Sequence, residues 1–188
     1  VNVLGVRLRS SAAAGSLVLA QDERQVAPIS YLDFTVDGRS VGDRFGGDIT
    51  ALTAQDPDFR TESLRRLAGA QVPIPTLEAR FYRTRLDRLL HRRGTLIAPC
   101  ETAFDDGRVG LYFCPCGDMD CGVVSTRVEM TSHTVTWHEI GWQVAYEPFN
   151  PERDGLATFI FERESYGQLL GWLITADWSA GIPVPAAS

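Results

Sequence analysis

Residues 109–144 read VGLYFCPCGDMDCGVVSTRVEMTSHTVTWHEIGWQV, and this stretch decides the fold. Val109 to Phe113 leads into a cysteine-rich run, Val123 to Met130 leads out of it, and Thr134 to Val144 follows. All three are rich in the β-branched and aromatic side chains that suit a pleated surface, and Gly, Asp and Ser separate them. Strands repeated at such short intervals predict an antiparallel sheet. Gly141 interrupts the third strand, where a bulge is expected.

The same periodicities extend outward. Downstream, Leu156 to Phe161 is a further strand, and Glu164 to Thr175 places Tyr166, Leu169, Leu170 and Leu173 on one helical face. Upstream, Tyr31 to Asp37 alternates: Leu32, Phe34 and Val36 point one way, Asp33, Thr35 and Asp37 the other. Asp37-Gly38 then supplies a turn. Val1, Val3, Val6 and Leu8 give a rougher strand signal, and Ser16 to Ala20 a short one. A short helix is expected from about Thr61 to Ala68, broken by Pro73 and Pro75. Residues 77 to 93 form a longer helix with Tyr82, Leu86, Leu89 and Leu90 as its apolar stripe and Gly94 as its stop. The expected fold is α+β: an antiparallel β-sheet with two or three helices packed on one side. Residues 1–180 are expected to form a single globular domain, and residues 181–188 a flexible Pro/Ala-rich tail.

The 188 residues are 44% hydrophobic and 22% charged, enough to bury a core without cross-links. Net charge is −6, which argues against whole-surface binding to nucleic acid or to an anionic membrane. All 18 basic residues are arginine, so lysine chemistry, from Schiff bases to the P-loop, is absent. No apolar run is long enough to span a membrane, and the apolar part of the opening segment is too short for a signal peptide. A cytoplasmic setting is therefore expected, in which clustered thiols stay reduced.

Cys114, Cys116 and Cys121 lie together in Cys-Pro-Cys-Gly-Asp-Met-Asp-Cys-Gly. Thiolates on a tight turn between strands can hold tetrahedral zinc, and His133, His138 and Cys100 are the candidates for a fourth ligand. The same run could instead supply a redox dithiol or a thiol nucleophile at Cys116 or Cys121, with His133 or His138 as base. Asp118 and Asp120 oppose that by disfavouring the thiolate. In a third reading the cysteines only pack, and Gly117 and Gly122 serve backbone conformations that other residues resist.

Two further features carry chemistry. Between Arg80 and Arg93 there are six arginines against the single acid Asp87, a basic surface suited to nucleic acid or an acidic protein partner, or a solvated face balancing the chain's acids, which the acidic total favours over nucleic acid. Trp137, Trp142, Tyr146 and Phe149 are either the lining of a pocket for a flat ligand or an aromatic core beneath the sheet. His138-Glu139 lacks the second histidine of a zincin helix, and there is no phosphate loop or nucleophile elbow.

Leu111 to Gly122, Val135 to Trp142 and Phe159 to Tyr166, with Tyr31 to Gly38 upstream, resemble a family of uncharacterised actinobacterial proteins, some of them labelled oxidoreductase. Many members have one more residue between the first two cysteines. The resemblance implies a bacterial cytoplasmic setting and supplies no substrate. The function expected from the sequence is a small accessory or interaction protein, immunity-type or regulatory, with a cysteine-rich turn for structural zinc. A thiol-dependent enzyme or oxidoreductase and an aromatic-lined small-molecule binder are the alternatives.

Overall fold

The structure is a computed structural model that describes residues 1–11, 29–45, 51–53, 57–69, 106–113, 122–144, 147–151, 155–179 and 181–183. In chain order it contains β1 (Leu4–Ser11), β2 (Ile29–Val36), β3 (Arg39–Ser40), β4 (Leu52–Thr53), α1 (Pro57–Leu67), β5 (Val109–Phe113), β6 (Val123–Met130), β7 (Thr134–Gln143), β8 (Gly155–Glu162) and α2 (Arg163–Thr175). The expected segments Ser16–Ala20 and 77–93, and the end of the tail, lie outside the described residues.

The fold is α+β and its strands pair antiparallel, as the periodicity predicts, but they divide between two sheets. The first runs β1-β2-β3, with β4 also pairing β2, and the second runs β5-β6-β7-β8. One parallel bridge, Asn2 to Phe161, joins them at the edge of β8. There Asn2 N–H donates to the Ile160 carbonyl at 2.6 Å.

The turn expected at Asp37-Gly38 is a two-residue hairpin, because Val36 and Arg39 are paired. Both turn residues have positive φ, 52° and 74°. That is the backbone twist a tight hairpin requires. Asp37 is fixed further by accepting from Val3 N–H and Asn2 Nδ2, each at 2.8 Å.

β7 bulges where Gly141 suggests it should, with register shifts against β8 between Trp137 and Ile140 and between Ile140 and Gly141. Glu139 carries part of the distortion at φ 49°. α1 starts at Pro57 rather than Thr61. Proline suits the first helical position, since its fixed φ is helical and its missing N–H would have no partner there. α2 starts under a side-chain cap: Glu162 accepts from Glu164 N–H at 3.0 Å and from Ser165 N–H at 2.7 Å.

The core lies between the two sheets and the two helices. Leu32, Phe34 and Val36 of β2 meet Trp137 and Phe161 of the second sheet, Leu64 and Leu67 of α1, and Tyr166, Leu170 and Leu173 of α2. Phe34 stands edge-on to Trp137 with ring centroids 5.5 Å apart. Trp137 Nε1–H donates to the Tyr166 hydroxyl at 3.0 Å, and that hydroxyl donates to the Leu67 carbonyl at 2.8 Å. One polar relay thus ties β7 to both helices inside an apolar core, with every donor placed.

The second face of β2 is covered as well: Asp33 is fully buried and Thr35 nearly so. Tyr112 of β5 and the turn at Gly42 lie against Asp33 on that face. No helix among the described residues is long and apolar enough to cross a membrane.

Candidate functional site

Cys100, Cys114, Cys116 and Cys121 lie outside the described residues, as do Tyr146 and the Arg80–Arg93 stretch. The structure does fix the two ends between which the cysteine run is strung. Phe113 and Val123 are paired across β5 and β6. Gly122, directly after Cys121, has φ +99°, and a Cβ there would fall 2.2 Å from the Trp142 ring. Glycine is thus required at the exit of the run for both conformation and space.

The two candidate histidines are apart from one another. His133 is exposed in the turn between β6 and β7, where its carbonyl accepts from Arg163 N–H at 2.9 Å. Its turn is at the opposite end of β6 from Val123, about 24 Å away along an eight-residue strand. His138 is mid-strand, opposite Arg127. Its Nε2 is 2.8 Å from Glu129 Oε2. Among the described residues no group of three or more His, Cys, Asp or Glu side chains could hold a metal ion.

The aromatic residues divide as well. Trp137 is core, while Phe149 is half-buried and stacks against a guanidinium. That guanidinium belongs to Arg108, which is only 4% exposed. Its Nε donates to Ser125 Oγ at 3.0 Å, and its Nη2 donates to the carbonyls of Ser125 at 3.0 Å and Glu139 at 2.6 Å. Its central carbon is 3.4 Å from the Phe149 ring centroid. Ser125 passes the network on to Gln143 at 2.9 Å, and Gln143 to Asp106 at 3.2 Å. The carboxylates of Asp106 and Glu139 also favour the cation, Glu139 from 3.9 Å, while neutral dipoles and a ring make its close contacts among the described residues. Burial pushes the Arg108 guanidinium down to about 10. The network pins the bulge of β7 to β5 and β6.

A second buried polar centre joins the two sheets. Asp33 Oδ1 accepts from the Tyr112 hydroxyl of β5 at 2.7 Å, and Asp33 Oδ2 accepts from Arg7 Nε of β1 at 3.1 Å. The Tyr112 oxygen also accepts from Phe34 N–H at 3.1 Å. Arg9 approaches Asp33 at 3.6 Å, and Arg7 and Arg9 both pair with Asp43, which stands in the 3-10 turn Gly42–Arg44. The two arginines and two aspartates balance. Desolvation first, and the Asp33 charge second, push the Tyr112 phenol well above its ordinary range. Arg9 holds Asp43 below the usual carboxylate range. A Cβ on Gly42 would come within 3.1 Å of the Tyr112 ring and 3.2 Å of Asp33 Oδ1, so the centre is closely packed. In both centres the buried groups are saturated by structural partners and act as clamps.

Sequence reasoning missed both clamps. The signals were faint: Arg7 and Arg9 at strand spacing opposite Tyr31 and Asp33, and an arginine beside an Asp-Asp-Gly turn. No family model, curated protein or solved structure matches the chain.

Proposed function

We propose that this chain is a small accessory protein that works by binding a protein partner, in a regulatory or immunity-type role, and that Cys114, Cys116 and Cys121 form a turn holding structural zinc. The observation that carries the first part is the outer edge of β1. This eight-residue strand pairs with β2 on one side only, and on its other side the only strand contact among the described residues is the Asn2 bridge before it begins. Its Leu4 and Val6 turn into the core, while Leu8 on the same face is 51% exposed. A row of outward amides beside an exposed leucine suits an extended segment added as a further strand. The six arginines between Arg80 and Arg93 provide a second contact if that partner is acidic.

For zinc, the three cysteines need one more ligand. His138 already faces Glu129, and His133 stands at the far end of β6, so Cys100 is the ligand we favour. Such a site would cross-link the chain rather than catalyse, because a four-thiolate shell leaves no open position. Elemental analysis after metal-replete expression is expected to give close to one zinc per chain, and less than about 0.2 removes this half of the reading.

Partner binding is tested by capture from the native host over a range of salt, with the wild type and Leu8→Arg as baits. The wild type should retain one specific partner and the variant should lose it. No specific partner at any salt contradicts the reading. A thiol enzyme remains the second reading because His138 and Glu129 form a base with an orienting carboxylate, lacking only a nucleophile from Cys116 or Cys121. It requires a thiol titrating well below roughly pH 8.5. Slow reaction of all the thiols with iodoacetamide near neutral pH removes it.

A further inference from the structure

The indole of Trp142 covers the point where the cysteine run rejoins the sheet. Gly122 is buried, and a Cβ there would fall between 2.2 and 2.4 Å from Cε2, Cζ2 and Nε1 of Trp142. The ring therefore lies directly on the Gly122 backbone, which has the left-handed φ of +99°. Cys121 is bonded to Gly122, and consecutive Cα atoms are about 3.8 Å apart. The last cysteine of the run thus leaves the sheet from beside this ring.

Trp142 is itself held from several sides. It pairs with Val124 of β6 and packs against the core. Before it in the chain, the Glu139 carbonyl accepts from Arg108 and the bulge of β7 ends at Gly141. After it, Gln143 is bonded to Ser125 and to Asp106. The Arg108 network therefore fixes the backbone on both sides of the tryptophan. At the entrance of the run, Phe113 is paired with Val123, which closes residues 114–122 into a loop at its base. The fold has then already met the entropy of bringing the two ends together.

We propose that Trp142 is a positioning residue for the cysteine centre. By holding Gly122 in its left-handed conformation, the ring fixes the direction in which Cys121 is presented and screens that side of it from water. The inference rests on the zinc reading of the turn and names what supports the site. It also gives the buried Arg108 network a task, because stiffening the bulge of β7 keeps the tryptophan in place. A group that orients a metal ligand without touching the metal contributes about 10–100-fold to affinity.

The test is zinc and cobalt(II) binding to the full chain, with zinc affinity read by competition against a chromophoric chelator and cobalt geometry by visible absorption. The wild type should bind one ion and show the absorption of a tetrahedral thiolate site. Trp142→Leu should weaken zinc about 10–100-fold and alter the cobalt spectrum, and Trp142→Phe, which keeps a flat ring, should recover most of the loss. Gly122→Ala should weaken zinc as well, and combining it with Trp142→Leu should cost less than the two losses multiplied, because the clash with the ring is gone. Val135→Ala thins the core at the far end of β7 and should lower the urea midpoint with zinc affinity unchanged, which separates positioning from stability. Unchanged zinc affinity in a folded Trp142→Leu, or in Gly122→Ala, overturns the proposal and leaves the zinc reading in place. A wild type that takes up neither metal overturns both.

Discussion

Asp33 and Arg108 are both buried charges, and the two halves of the molecule keep them in different ways. Around Asp33 the compensation is ionic: Arg7 and Arg9 reach in from a half-exposed position, and Tyr112 adds a hydroxyl from the other sheet. Around Arg108 it is largely dipolar, with the Ser125 hydroxyl, two carbonyls and the Phe149 ring. An ionic clamp joins elements distant in sequence and depends on pH and salt. A dipolar clamp stiffens a local distortion, here the bulge of β7, and depends on neither in the ordinary range.

The largest effect should come from Asp33→Ala. It strands a buried phenol and removes the partner of two arginines, at a cost of about 3–5 kcal/mol, read as a lower urea midpoint. Arg108→Met keeps much of the volume but leaves the Ser125 and Glu139 carbonyls short of donors, so about 2 kcal/mol should be lost. The loss should be the same in low and high salt, and a strong salt dependence would make the two clamps alike. Tyr112→Phe removes one donor to Asp33 and should cost about 1–2 kcal/mol.

The phenols give a pH test of the same comparison. Burial raises both Tyr112 and Tyr166 above the ordinary phenol range. A raised folded-state pKa contributes stability that is complete below the unfolded value, near pH 10, and is lost as pH rises beyond it. Ultraviolet titration of phenolate should therefore show Tyr112 and Tyr166 ionising only as the chain unfolds, with one such phenol fewer in Tyr112→Phe. Asp43→Asn should be the smallest change, at most about 1 kcal/mol in low salt and less in high salt, because that side chain is 55% exposed. Its contribution is present above the ordinary carboxylate range and is lost as pH falls, since Arg9 lowers its folded value.

What could be read from the sequence was local. β6, β7, β8 and α2 repeat with a clear period, and Asp37-Gly38 carries its turn type in two letters. β3 and β4 have two residues each, too few for any period. The bridge that joins the two sheets depends on where Asn2 lands against Phe161, which no window of sequence contains. Asp33 shows the same limit. Alternation correctly placed it on the face away from Phe34, but that face is covered by Tyr112, 79 residues away, and by the turn at Gly42. Of the candidate site, Gly122 was legible as a glycine needed for its backbone, and its contact with Trp142 was not. The acid beside His138 could not be read either, because Glu129 arrives from the neighbouring strand.

The outer edge of β1 is the feature on which the proposed function rests, and amide hydrogen exchange of the free chain tests it most directly. Along an edge strand only alternate amides have a partner strand to bond. From Leu4 to Ser11, amides facing β2 should be protected, and those facing away should exchange close to the rate of an unstructured peptide. Uniform protection along all of β1 would contradict the account, because the edge offered to a partner would already be covered.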